Sequence, residues 1–438
     1  MTERAAGTPR FRGRVRRPQV LVIGGGLAGM TAALAARRAG ASVAVVAEGA
    51  GVLELASGCI DRLAVPLDSL PREHPYRLLG MSVVDEELAA FQRVMEEAGW
   101  PLVPGGPVDG GATDVGPAGA GCVDGGPACV ITALGARRPT YLVAPGMAAP
   151  PPGDPIWVAG FRGLRDFHPA VVAAGLRGGD PSAPVTWGEI DLPGSPEDVH
   201  PVALARQLED EDYRREVIER VRQIRPRELG EGATALFPAV LGLTGARAVQ
   251  DAFAGALGMR VSEILLPPPS VPGLRLAEAL RRAVHRAGAD VAIGARAVEA
   301  TVEDGRVRRV VTAGPGGRIT YEADAYVLAT GGLLGNGLTT EGRSVREPLF
   351  GLPVTVPEGE LADARFLPEE GHAFVRIGVT VDGRLRPPGF SNLFVCGRTL
   401  AGYDPYAEGC GGGVAVATGG VAGAEAARLV AGAGGETR

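Results

Sequence analysis

Gly24, Gly26 and Gly29 stand in the spacing G-x-G-x-x-G, directly after the apolar run Val20–Ile23 and before a helix-like stretch from Thr31 to Ala39. In that pattern the first glycine permits a tight turn, the second admits a phosphate to the backbone, and the third lets helix and strand pack closely. The helix would aim its unpaired N–H groups and the positive end of its dipole at the phosphate. A Gly-rich turn in some other α/β unit is the bland alternative. The flanks decide against it, because residues 42–47 (SVAVVA) supply the second strand after Gly40. The chemistry predicted is binding of a nucleotide or a flavin.

Other chemistry-bearing residues are less telling. Of five histidines, His74 and His372 fall in loops able to line a cleft, whereas His168, His200 and His285 read as surface or helix residues. No general acid or base stands out, so no catalytic residue is assigned. Arg346, Arg376 and Arg398 could clamp an anion or steady a reduced flavin; ordinary salt bridging is their alternative. Tyr403 and Asp404 sit beside a Gly-rich turn, and Cys410 is either a redox thiol or a small packing residue. The five cysteines include no C-x-x-C pair, which suggests neither an iron–sulfur nor a zinc site. Their odd number and wide spacing suit reduced thiols in a cytoplasmic protein.

Elements must hold these residues in place. A chain of 438 residues with 45% hydrophobic and 5% aromatic residues suggests an Ala/Val/Leu-packed α/β protein of two or three domains. The net charge of −6 gives no reason to expect nucleic acid, and all 44 basic residues are arginine. Arg12, Arg14, Arg16 and Arg17 superficially resemble a twin-arginine signal, but the apolar run after them ends at Ile23 in the phosphate loop. Residues 1–18 are therefore expected to form a basic disordered tail. No run of about 18 consecutive apolar residues is present, so any membrane contact is expected to be peripheral.

The predicted order is a β-α-β unit from Val20 to about Tyr76, then an amphipathic helix over 81–99 with Leu88, Phe91 and Met95 on one face. A Gly/Pro-rich loop spans 104–127, and a further α/β block begins at Ile156 and runs to about Leu266. Beyond the Pro267-Pro268-Pro269 break come a helix carrying Leu276, Leu280 and Val284, a strand to Ile293, and a hairpin around Asp304-Gly305. The buried strand of residues 325–330 follows, then the strand at 392–397 and a last helix. The expected division is residues 19–76 with 267–438 as a split Rossmann-like flavin-binding domain, and 77–266 as an inserted central α/β domain.

The AYVLATGG segment at 325–332 resembles the strand-and-glycine turn that precedes flavin contacts in fumarate-reductase-like flavoproteins. The segment at 392–419 resembles that group's last strand and C-terminal helix. Gly409 to Gly413 would there offer bare backbone N–H groups to the flavin's pyrimidine end, where negative charge gathers on reduction. A helix-packing turn is the alternative. More narrowly, the chain resembles the B subunit of anaerobic glycerol-3-phosphate dehydrogenase. The resemblance rests on Gly24–Gly29, Ser57-Gly58 to Asp61, His74-Pro75-Tyr76, GFRGLRDF at 160–167 and Pro238–Leu243. It continues in PPSVPGLRL at 268–276, Arg346-Glu347-Pro348, Gly378-Val379-Thr380 and Tyr403–Gly413.

That resemblance implies a flavin-bearing subunit relaying electrons from oxidation of sn-glycerol 3-phosphate, which yields dihydroxyacetone phosphate, towards quinone. Its implied partners are a catalytic dehydrogenase subunit and an iron–sulfur subunit. Its implied location is cytoplasmic, peripheral on the inner face of the cell membrane. The cofactor-binding set is Gly24, Gly26, Gly29, Glu48, Ser57, Gly58, Gly331, Gly397, Gly411, Gly412 and Gly413. FMN is expected on family grounds, with FAD as the competitor. An acidic residue usually ends the second strand to bind the adenosine ribose, and here that position falls at Ala47, with Glu48 one residue later. The alternative function is a stand-alone FAD-dependent oxidoreductase with the central block as a closing lid over a small organic substrate.

Overall fold

Val20–Ile23 is apolar without interruption and every residue in it is buried, as a strand covered on both faces of a parallel sheet must be. The computed structural model describes residues 14–104, 128–195, 197–229, 232–342, 344–365, 368 and 371–435. Val20–Ile23 is the middle of a five-stranded parallel sheet. Val43–Ala47 and then Asp290–Ile293 lie on one side; Ala325–Leu328 and then Leu393–Val395 lie on the other. Chain from both ends of the sequence therefore meets in one sheet, with a long insertion between its second and third strands in chain order.

Two helices cover one face of that sheet. Leu27–Arg38 makes the crossover, and Gly411–Gly435 packs along it. Small residues allow the approach: a Cβ on Gly419 would lie 2.4 Å from the Ala28 carbonyl oxygen, and one on Gly423 would lie 2.1 Å from that of Ala32. By length and composition the C-terminal helix could span a bilayer, yet 61% of its apolar window is buried inside the protein. The expected amphipathic helix runs Met81–Glu97 and buries Leu88, Phe91 and Met95, together with Val84 and Val94. Each such side chain contributes about 1.5–3 kcal/mol relative to exposure.

The insertion builds a second parallel sheet, ordered Arg260–Ile264, Thr234–Pro238, Ile156–Phe161, Val185–Ile190. Its core centres on Phe237, whose ring lies 5.2 Å from that of Phe253 and 6.1 Å from that of Trp157. A third sheet holds the expected hairpin, Arg296–Glu303 against Arg306–Gly314. Asp304 and Gly305 take φ of 49° and 70°, the left-handed pair a two-residue hairpin turn requires.

Three expectations change. The cores do not divide at residue 77: Met81–Glu97 and most of the buried residues from 130 to 147 join the first core, because the amphipathic face meets the C-terminal helix. The second core gathers Ile131 and residues from Ile156 to Val271. Of the supposed disordered tail, Arg14–Arg16 forms a strand beside Ile319–Tyr321, held by ion pairs from Arg16 to Asp290 and Arg17 to Glu322; residues 1–13 lie outside those described. Cys129 is disulfide-bonded, whereas Cys59, Cys396 and Cys410 are buried free thiols. The Gly/Pro-rich loop lies outside the described residues from 105 to 127.

Candidate functional site

The strand ends of the five-stranded sheet open into a cavity of about 1030 Å³, at the upper end of the size of small-molecule sites. Its wall starts at Glu48, Gly49 and residues 295–298, passes Gly24–Ala28, and reaches Ser57, residues 329–337, Tyr403, Gly411 and Gly412.

The three motif glycines differ in what they face. Gly24 takes φ +122°, and a Cβ there would sit 2.2 Å from the Ala329 carbonyl oxygen. One on Gly29 would sit 2.0 Å from the Gly24 carbonyl oxygen. Both are demanded by the protein's own packing. Gly26 is different, since a Cβ there would meet no atom within 4 Å. Its missing side chain leaves room on the cavity side only. Gly26 is also the N-cap of Leu27–Arg38, with no side chain capping the first turn. Those N–H groups therefore lack an intrahelical partner and face the cavity. Two further polar atoms of the wall, Thr330 Oγ1 and Arg398 Nη1, have no hydrogen-bond partner among the described residues. A phosphate-bearing ligand suits this donor-rich, apolar-walled cleft.

Of the residues singled out in the sequence, Gly24, Gly26, Glu48, Ser57, Gly331, Gly411 and Gly412 line the cavity together. Gly29, Gly58, Gly397 and Gly413 stand behind the wall. Gly58 packs on Pro272, Gly397 on Ala28, and Gly413 on the Tyr76 hydroxyl, where a Cβ would come within 2.2 Å. Glu48 directly follows Val43–Ala47 at the rim and lies 3.8 Å from Arg296. Arg346 pairs with Glu341 at 3.4 Å and Arg376 with Glu408 at 2.6 Å, so salt bridging accounts for both. Arg398 donates to the Val375 carbonyl and lies over the Tyr403 ring, 5.2 Å from its centre.

A family profile described as an FAD binding domain matches residues 19–414. The probable B subunit of the anaerobic glycerol-3-phosphate dehydrogenase of Halobacterium salinarum (strain R1) is 34% identical, over 94% of this chain and 98% of that protein. The chain belongs to the B-subunit family of anaerobic glycerol-3-phosphate dehydrogenases. It is a flavin-binding oxidoreductase of that family. The corresponding B subunits of Pectobacterium atrosepticum (31% identical, 91% of this chain and 96% of that one) and Vibrio cholerae (29%, 91% and 94%) align over the same extent. An open-form flavocytochrome c3 fumarate reductase aligns at TM-score 0.42 and 13% identity, over 95% of this chain and 79% of that one.

Several parts of this flavoprotein's cleft were not legible in the sequence. Asp61 lines the cavity, takes an ion pair from Arg138, and accepts from Thr140 Oγ1 at 2.8 Å. Glu347 also lines it. Burial raises its carboxyl above the ordinary range, although Leu349, Phe350 and Leu352 donate backbone N–H groups to it. Both its oxygens are thus engaged in holding the 347–352 turn. His74, expected in a loop at the cleft, is fully buried beneath the wall beside Glu408 and Cys410. The sequence signal was present in the His74-Pro75-Tyr76 and Glu408-Gly409-Cys410 stretches. Nothing in a single sequence joins positions 336 residues apart.

Ser270 to Leu276 explains another resembling stretch. Ser270 caps the helix Val271–Arg286 by accepting from Gly273 N–H at 3.0 Å, and Gly273 lets that helix start press on the Leu53 and Ala56 carbonyls. Arg275 then reaches into the inserted sheet. It pairs with Glu263 at 2.5 Å and donates twice to the Gly242 carbonyl, with both charged side chains fully buried.

Proposed function

We propose that this chain is the flavin-bearing, electron-relaying subunit of an anaerobic sn-glycerol-3-phosphate dehydrogenase complex, and that its flavin is FAD. A catalytic subunit oxidises glycerol 3-phosphate to dihydroxyacetone phosphate, and an iron–sulfur subunit carries the electrons on towards quinone. The complex lies against the inner face of the cell membrane. Membership of the family supports the assembly and the substrate.

The observation that carries the cofactor assignment is the extent of the cleft. It continues past Gly26 to Glu48, Arg296 and Val298 on one side and to Gly411 and Gly412 on the other. FMN would end at the phosphate loop, whereas the adenosine half of FAD accounts for the remainder. This moves the expectation from FMN to FAD. Gly26 and the N–H groups of Leu27 and Ala28 would hold the pyrophosphate, Glu48 at the rim the ribose, and the Gly331–Gly337 and Gly411–Gly412 segments the ring. When bound, the flavin supplies two-electron uptake and one-electron release. The chain's own residues bind it, orient it, and keep water from the wall behind it. Leu265, Leu266 and Ser270, from the chain leaving the inserted sheet, close one side of the cleft.

Purification, denaturation and identification of the released flavin by chromatography and mass test the cofactor. FAD is expected, and FMN alone would overturn that part. Co-expression with the two partner subunits tests the relay: glycerol 3-phosphate should bleach the flavin of the complex and not that of the isolated chain. Bleaching of the isolated chain by the substrate would favour the stand-alone oxidoreductase.

A further inference from the structure

Directly behind the Gly411–Gly412 wall lies a buried polar cluster that the relay reading does not use. His74 caps the short helix Pro75–Leu79, and its Nδ1 accepts the Tyr76 N–H at 3.0 Å. Its Nε2 lies 3.2 Å from Glu408 Oε2. Asp404 N–H also donates to Glu408 Oε2 at 2.9 Å, and Arg376 Nη1 donates to Glu408 Oε1 at 2.6 Å. Cys410 Sγ completes the group, 3.8 Å from Glu408 and 3.9 Å from His74.

Histidine, glutamate and cysteine at this spacing could hold a soft divalent cation. The histidine argues otherwise. A ring nitrogen that accepts a backbone N–H carries no proton, so the remaining proton of His74 sits on Nε2 and points at Glu408. A metal on Nε2 would need that proton gone as well. Glu408, moreover, already accepts from four donors, His74, Asp404, Arg376 and the Cys410 thiol. Burial alone would raise its carboxyl, yet His74, Arg376 and Asp404 together hold it below the ordinary range. Burial and the adjacent carboxylate push the Cys410 thiol up, so it stays protonated.

We propose that Glu408 and Arg376 form a charge-balanced pair that sets the electrostatic potential at the wall facing the flavin, with His74 as the positioning residue that fixes Glu408. This rests on the flavin reading of the cleft. Gly409 and Gly411, one on each side of Cys410, both line the cavity. The pair therefore stands one residue layer behind it. Glu408 is almost wholly buried and Arg376 about two-thirds buried, so neither charge is well screened. Other charges on this wall include Asp404, bound by the Tyr406 and Ala407 N–H groups, Arg398 over Tyr403, and Asp61 paired with Arg138. Reduction adds negative charge to the flavin. An Arg376 left uncompensated would favour it, and a Glu408 left uncompensated would oppose it.

The test is the midpoint potential of the bound flavin, by dye-coupled spectral titration, in Glu408→Gln, Arg376→Gln and the double variant. Glu408→Gln should raise the ratio of reduced-flavin to oxidised-flavin affinity about tenfold, roughly 30 mV for a two-electron couple. Arg376→Gln should lower it by a similar factor, and the double variant should return near the wild type. A structural role alone would move both single variants the same way or leave both unchanged, and either result overturns the proposal. Arg376 is partly exposed, so if Glu408→Gln fails to fold, Arg376→Gln alone decides: a fall supports the pair and no change overturns it. One equivalent of zinc or iron in the purified chain would also overturn it. A chain that binds no flavin at all would instead sink the reading of the cleft.

Discussion

Gly26→Ala separates what the protein needs from what its ligand needs. With φ −78° and no atom within 4 Å of the added Cβ, the substitution strains nothing in the protein. Alanine lowers the unfolded chain's entropy, worth about 0.4–1 kcal/mol, and is a poorer N-cap than glycine by a similar amount. The two offset, so the flavin-free variant should melt within about 3 °C of the wild type. The new methyl projects into the cavity, where a phosphate would approach the first-turn N–H groups. Losing one hydrogen bond to a charged group costs about 1.5–3 kcal/mol. Flavin affinity should thus fall by roughly tenfold to several-hundredfold, read from quenching of added FAD fluorescence. Gly24→Ala is the contrast, since its Cβ would lie 2.2 Å from a backbone oxygen at φ +122°. That variant should lose stability by several kcal/mol with or without flavin. Wild-type affinity in Gly26→Ala would refute the placement of the phosphate, and equal destabilisation of both variants would refute the packing argument.

Three further outcomes follow from the same geometry. Arg275→Met removes one partner of a fully buried pair and should cost about 3–5 kcal/mol, while Glu263→Leu/Arg275→Met should recover only part of it, because the Gly242 carbonyl, the Leu241 N–H and the Gln250 amide then lose their partners, both read by urea unfolding. Tyr76→Phe deletes a buried hydroxyl with no partner among the described residues and should stabilise by about 1 kcal/mol; Gly413→Ala should destabilise, and Tyr76→Phe should rescue it only in part, because the Asp61 carbonyl is also within 2.8 Å of the added Cβ. The Glu408 carboxyl is held below its ordinary value of 4.5, so its contribution to stability is complete above that pH and is lost as pH falls through the lowered value. Melting temperature against pH should therefore fall less steeply below pH 4.5 in Glu408→Gln than in the wild type.

What the sequence carried plainly was local. Uninterrupted apolar runs such as Val20–Ile23 and 325–328, each followed closely by a glycine turn, read as strands covered on both faces, and Asp304-Gly305 admits few backbones other than a tight turn. The phosphate loop was legible because its three glycines sit in a fixed frame of strand and helix. What stayed hidden depended on pairing across distance. Nothing local distinguishes Gly411 and Gly412, open to the cleft, from Gly413, pressed on Tyr76. The helix Met81–Glu97 looked like part of the insertion because it follows Tyr76 in order. Its apolar face could have met either core, and only the small residues of the C-terminal helix decide which. Arg376 reads from sequence as an anion clamp or an ordinary salt bridge, and the buried Glu408 that makes it the latter is visible only in three dimensions.

The Arg275 contact bears on the choice between relay and closing lid. A lid swings about loops that hold few buried contacts, and its interface with the rest of the chain opens at little cost. Here the inserted sheet is joined to the helix Val271–Arg286 by a buried ion pair and two hydrogen bonds to the Gly242 carbonyl. That helix in turn rests on the Leu53 and Ala56 carbonyls, next to Ser57 at the cleft. Swinging the sheet away would break that ion pair and both hydrogen bonds, contacts that the hinge of a mobile lid lacks. A fixed wall suits a protein whose flavin exchanges electrons with partners docked outside it. Hydrogen exchange at Leu241, whose buried N–H donates to Glu263 of the ion pair, gives the measure: strong protection is expected, and fast exchange there that slows on adding FAD would return the lid to consideration.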